Sequence, residues 1–152
     1  MVTRQIHDRR VSPDYGQPRE PLGSAAAILR FPCGPRRYLR KEQLWPHLEE
    51  MADALTAHIT AQPRRPDWIH AHYADAGYLG AVVARRLQLP LVFTGHSLGR
   101  EKRRRLLEAG LDSQQIEAHY ALATRIEAEE RALAQAQLVV TSTQHELDHQ
   151  YA

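Results

Sequence analysis

A chain of 152 residues is sized for one domain, and its 43% hydrophobic and 25% charged residues are ordinary for a water-soluble globular protein. A formal charge of +2 is too small to imply a nucleic-acid partner, and a mean hydropathy of −0.53 without any long apolar run argues against a membrane span. Met1 to Arg10 has no apolar stretch of the signal-peptide kind, and the single cysteine, Cys33, has no mate for an internal disulfide, so a cytoplasmic location and an inert thiol are the expectation.

Residues 7–24 are rich in Pro, Gly, Arg and Asp without hydrophobic periodicity and read as an exposed connection. Ala25 to Phe31 is a short apolar run closed by Pro32-Cys33-Gly34-Pro35, a strand ending in a loop. From Glu42 to Ala61, Leu44, Leu48, Met51, Leu55 and Ile59 recur at helical spacing, with Pro46 suited to the first turn. Pro63 and Pro66 separate this helix from a strand, Trp68 to His72, after which Asp75 is placed to cap a helix whose apolar face is Tyr78, Leu79, Val82, Val83 and Leu87. Pro90 starts the strand Leu91 to Thr94. A basic helix follows and ends near Gly110, and Asp112 with Gln115 opens a long helix running to Ala136. Gln137 to Ser142 is the last strand, and Thr143 with Glu146 opens a final helix. Strands alternating with helices in this way predict an α/β fold, a partial Rossmann-like parallel sheet with helices on both faces.

Ligands of such sheets bind beyond the carboxyl ends of the strands, where Gly34 to Arg37, His72 to Asp75 and His96 to Lys102 are expected to converge. The richest of these segments is Phe93-Thr94-Gly95-His96-Ser97-Leu98-Gly99-Arg100-Glu101-Lys102. Gly95 and Gly99 are expected to permit turns closed to other residues, and backbone N–H groups at a helix start, with Arg100 and Lys102, suit an anion such as a sugar phosphate. His70 and His72 share one strand face, but no matching Cys, His or carboxylate cluster accompanies them, so no metal site is expected. Glu127, Glu129 and Glu130 read as solvated or salt-bridged, and Arg103-Arg104-Arg105 as an exposed helix face.

Three segments, His70-Ala71-His72-Tyr73-Ala74-Asp75-Ala76-Gly77, the His96 loop and Arg125-Ile126-Glu127-Ala128-Glu129-Glu130, agree in order and spacing with one family. Over about Gln5 to Gln150 the chain resembles the sucrose-phosphate synthases, retaining glycosyltransferases of the two-domain GT-B architecture. The resemblance implies that Lys102 of H-S-L-G-R-x-K and Arg125 of R-I-E-A-E-E hold the phosphate of fructose 6-phosphate, with Ser97 and Arg100 of the same loop beside them. It implies that His96 is catalytic, contacting the donor hexose and stabilising charge at the anomeric centre, and that Tyr73 and Asp75 line the acceptor pocket. Arg37 stands in Arg37-Tyr38 where the family often has a K-Y pair, and Thr124-Arg125 stands where it often has two arginines. Arginine's planar fork does not reproduce an ammonium at a tight site, which bears on acceptor geometry. No protein-bound cofactor or metal is implied; UDP-glucose is the donor of the parent enzyme.

Such enzymes hold the nucleotide sugar mainly in a C-terminal Rossmann-like domain that lies beyond this sequence. The resemblance also places Met1 to Gln5 at the end of the second strand. The expectation is therefore a single incomplete domain, 1–152, serving the acceptor side, with unpaired strand edges and no glucose transfer of its own. Two alternatives stay open: a related synthase using another donor, such as a mannosylfructose-phosphate synthase with GDP-mannose, and a non-enzymatic sugar-phosphate-binding module.

Overall fold

Among the residues described by the computed structural model, 1–151, the strands form two separate three-stranded sheets. Each belongs to its own compact unit, Met1–Pro63 and Arg64–Ala152.

In the first unit β1 (Val2–Arg4) runs parallel to β3 (Ala27–Phe31), and β2 (Arg19–Pro21) pairs antiparallel with β3 on its other side. The connection over residues 7–24 is exposed as read, but it is not merely a connection, because β2 lies within it. Pro18 and Pro21 mask that strand in the sequence; a proline is tolerated there because β2 is an edge strand. Its pairing is fixed from β3, where the buried Arg30 forms an ion pair with Glu20 and its amide donates to the carbonyl of Pro18 at 2.8 Å. The loop after β3 is shaped by Arg4, whose guanidinium donates to the carbonyls of Cys33 (2.8 Å), Arg37 (2.9 Å) and Pro35. Gly34 sits there at φ +66°, its amide donating to the Glu50 carboxylate at 2.7 Å. Helix α1 spans Leu48–Thr60 and buries Leu48, Met51, Leu55 and Ile59, the stripe expected from spacing. It starts later than Glu42 because two 3-10 turns, Lys41–Gln43 and Trp45–His47, absorb Pro46. Cys33 is buried and close to the His47 carbonyl.

In the second unit β4 (Ile69–His72), β5 (Leu91–Thr94) and β6 (Leu138–Val139) form an all-parallel sheet in that order. Every residue of the central β5 is buried, the pattern of a parallel strand covered on both faces. β4 alternates: Ala71, with Ile69 beside it, joins the core, whereas His70 and His72 are exposed. Helices α2 (Tyr73–Leu87) and α5 (Leu122–Gln135) pack on the core face, where Ala71, Ala81, Ala84, Leu91, Phe93 and Ala132 form one cluster. α3 (Gly99–Glu108) ends as expected at Gly110, φ +89°, whose amide donates to Leu107 while the Leu111 amide reaches back to Leu106, closing the last turn.

The long helix expected from Asp112 to Ala136 is two helices. The Asp112–Gln115 capping box opens α4 (Ser113–Tyr120), but Ala121 takes φ +46° and restarts the chain as α5. No Gly, Pro or Asn marks the break. It is held by Glu117, whose carboxylate accepts the Ala123 amide at 2.9 Å and so caps α5 from the preceding helix. A left-handed alanine costs about 1–2 kcal/mol, part of which glycine would return to unfolded-chain entropy. Ala121→Gly is therefore expected to raise stability by about 0.5–1 kcal/mol in urea denaturation; a loss would mean that the Ala121 methyl contributes packing. The final helix, α6 (Gln144–Gln150), opens on Thr143, whose hydroxyl accepts the Glu146 amide at 3.0 Å, while Glu146 turns to the amide of Ser142 instead of Thr143.

Candidate functional site

β4 and β5 are parallel neighbours with His72 opposite Thr94, so the loops that follow them leave the sheet side by side. They bring His72, Tyr73 and His96 together. His72 Nδ1 lies 2.9 Å from His96 Nε2, and the Tyr73 ring stacks on His96 with centroids 4.5 Å apart. The row continues along β4, with His70 against His72 at 4.1 Å and Trp68 against His70 at 6.1 Å, while His70 Nε2 bonds to Thr94 Oγ1 at 2.8 Å. Partial desolvation by the neighbouring rings, then the charges of the flanking imidazoles of His70 and His96, hold the His72 pKa below the ordinary histidine value.

The backbone special to this loop is not where the glycines suggested. Gly95 and Gly99 have ordinary φ, and the left-handed residues are Tyr73 at φ 67° and His96 at φ 61°. The glycines are required for room: a Cβ on Gly99 would lie 2.9 Å from Ile126 Cγ1 and 3.0 Å from Glu129 Oε2, and one on Gly95 would run into Tyr151 and Leu98. Two bulky non-glycine residues held at positive φ at the ends of adjacent strands is the kind of strain that concentrates at working sites.

Arg125, Arg100 and Lys102 are each committed. Arg125, in the first turns of α5, donates from Nε to Glu129 Oε1 at 2.8 Å and through its other end to the carbonyl of Ser97, the residue after His96. Glu129 is 3% exposed; its second oxygen accepts the Gly99 amide at 2.6 Å. The helix-start amide expected to face a phosphate is thus occupied by a carboxylate of the chain itself. Burial raises the Glu129 pKa, opposed by Arg125 and the Gly99 amide. Arg100 pairs with Glu130, and the Lys102 ammonium stands 4.0 Å over the Tyr120 ring. Asp75 lies in the first turn of α2, but the N-cap is His72 and no side chain caps that helix, so Asp75 is not the cap. Arg37 is exposed in the first unit, where its carbonyl serves Arg4.

Residues that the sequence reading left aside hold the loop. Tyr151 Oη accepts the Gly95 amide at 3.0 Å and Gln150 accepts the Leu98 amide at 2.8 Å. A hollow of about 620 Å³ lies beside these contacts, its apolar wall formed by Leu98, Ile126, Leu133 and Leu147 and its polar rim by Arg100, Glu130 and Thr141.

A family model described as a glycosyl transferase 4-like domain matches residues 2–151. The chain belongs to that family. Among curated relatives of this glycosyl transferase 4-like chain, the sucrose-phosphate synthase of Zea mays is 41% identical over 177 aligned residues, covering 99% of this chain and 17% of that protein. Sucrose-phosphate synthase 4 of Arabidopsis thaliana is 43% identical over 173 residues, covering 99% and 16%. The solved sucrose-phosphate synthase of Thermosynechococcus elongatus superposes with a TM-score of 0.73 at 21% identity, covering 99% of this chain and 34% of that one. The α/β fold and the resemblance read from the three motifs are thereby borne out. The glycosyl transferase 4-like chain spans about a sixth of the length of these curated relatives. No helix among its described residues is long and apolar enough to cross a membrane.

Proposed function

We propose that this chain is the acceptor-side part, a single incomplete domain, of a retaining GT-B glycosyltransferase acting in sucrose biosynthesis. The parent enzyme transfers glucose from UDP-glucose to C2 of fructose 6-phosphate, giving sucrose 6-phosphate and UDP. The observation that carries this reading is the delivery of Arg125, from a helix 28 residues downstream, to the Ser97 carbonyl beside His96. A cation fixed on the loop that carries His96 suits an acceptor that carries a phosphate.

In this reading Lys102 and Arg125 bind the phosphate, Ser97 and Arg100 assist, and Tyr73 and Asp75 line the sugar pocket. His96 faces the reacting centre as a hydrogen-bonding imidazole that steadies charge developing at the anomeric carbon. The donor is held by the C-terminal GT-B domain of the parent, and the protein works in the cytoplasm.

Calorimetric titration of the chain with fructose 6-phosphate, with fructose as control, tests this. Saturable binding that needs the phosphate is expected. Lys102→Ala is expected to weaken it about ten- to hundred-fold, the scale of one hydrogen bond to a charged group. Equal binding of fructose, or an unchanged affinity in Lys102→Ala, would remove the acceptor assignment.

A further inference from the structure

His72 comes from β4 and His96 from the loop after β5, and the two rings meet Nδ1 to Nε2 at 2.9 Å, centroids 5.2 Å apart and inclined by 24°. Two neutral imidazoles at that distance make a hydrogen bond only in complementary tautomers, one nitrogen bearing the proton and the other the lone pair. Fixing either ring therefore fixes the other.

We propose that His72 is a positioning residue that holds His96 in one tautomer and one orientation through this bond. The inference deepens the role given to His96 above and rests on that reading. It has three supports. His96 adopts φ 61°, a left-handed conformation uncommon for residues with a side chain. Its ring has two neighbours, Tyr73 stacked at 4.5 Å and His72 hydrogen-bonded with centroids 5.2 Å apart, so orientation is restrained by stacking and tautomer by the hydrogen bond. His72 is itself anchored by the strand and by His70 at 4.1 Å, whose own Nε2 is tied to Thr94 Oγ1.

The direction of the His72 pKa fits this arrangement, because a depressed value keeps the ring neutral and able to accept or donate near neutral pH. The groups facing it are His70 on the same strand and His96 on the neighbouring loop, the latter carrying the Tyr73 ring stacked on it. Protonating both His72 and His96 would leave only donors between them and open the contact.

Long-range proton–nitrogen correlation on the nitrogen-15-labelled chain, slightly above neutral pH, reads the imidazole tautomers directly. In the wild type the two ring nitrogens of His96 are expected to resolve, one protonated and one bare. His72→Phe keeps a flat ring for stacking but removes the hydrogen bond, and the two signals are expected to collapse towards a tautomer average. His72→Asn restores an amide donor and acceptor close to the lost Nδ1, and the separation is expected to return. Unchanged amide shifts at Leu91 and Phe93 would show that the core is intact in each variant. Averaged signals in the wild type, or a separation that survives His72→Phe, would overturn the proposal. Fructose 6-phosphate titrated into the same samples keeps the two readings apart: a locked His96 without acceptor binding defeats the acceptor assignment and leaves the His72 contact standing.

Discussion

Replacing Glu129 with alanine is expected to destabilise the chain by about 3–5 kcal/mol, the scale of breaking a buried ion pair by removing one partner. One carboxylate, 3% exposed, binds the Arg125 guanidinium with one oxygen and the Gly99 amide with the other. Its loss would leave a cation only 12% exposed without its counter-charge and a buried helix-start amide unpartnered at once. It would also free Arg125 from the position in which it meets the Ser97 carbonyl, so fructose 6-phosphate affinity is expected to fall with stability. Urea denaturation gives the first quantity. A loss below about 1 kcal/mol would show that water enters and replaces the carboxylate.

The pH dependence separates the two partners. Burial raises the Glu129 pKa above the usual carboxylate value of 4.5 despite Arg125 and the Gly99 amide. A carboxyl with a raised folded-state pKa binds more protons folded than unfolded between the two values, so its contribution to stability is largest below 4.5 and declines as the pH rises through that interval. Arg125→Ala strips away one of the opposing influences and should steepen the decline, whereas Glu129→Gln should abolish it. The glutamine variant still accepts from the Gly99 amide, so it is expected to be less damaging than alanine.

Much of this arrangement was legible in the residues. Apolar spacing located α1 and α2, the Pro90 boundary located β5, and the Asp112 and Thr143 caps form as their types require. What escaped was set by tertiary partners. Ala121 breaks a helical run only because Glu117 is there to cap the next helix, and alanine carries no turn signature of its own. His96 and Tyr73 take the positive φ that glycine would be expected to take, since Gly95 and Gly99 are needed for close approach instead. Glu129 reads as one of three solvated or salt-bridged acids on a helix; it is salt-bridged, to Arg125, but it is also buried. Its burial depends on α3 starting against α5, a contact that helical periodicity within α5 does not encode.

Phe93→Ala is expected to cost about 3–5 kcal/mol, as for large-to-small changes at fully buried aromatic positions. Phe93 is 0% exposed and lies where β5, α2 and α5 meet, with Ala81, Ala84 and Ala132 in the same cluster. Its ring fits against Gly77: a Cβ there would stand 2.6 Å from Phe93 Cε2 and 3.2 Å from the Ala132 Cβ. This contact lets two opposing effects be weighed. Helix propensity alone would make Gly77→Ala stabilising by about 1 kcal/mol, while overpacking a filled core costs about 1–3 kcal/mol. A clash against a ring that is itself wedged into the sheet should win, so the single variant is expected to lose stability. Combined with Phe93→Leu, which withdraws the ring edge, the same alanine should become neutral or favourable, giving a coupling of about 1 kcal/mol or more in a double-mutant cycle. Additive losses would show instead that α2 shifts as a body to accept the methyl group. In that case Tyr73, which opens α2, would move relative to His96, and the acceptor site would report a substitution made one turn away from it.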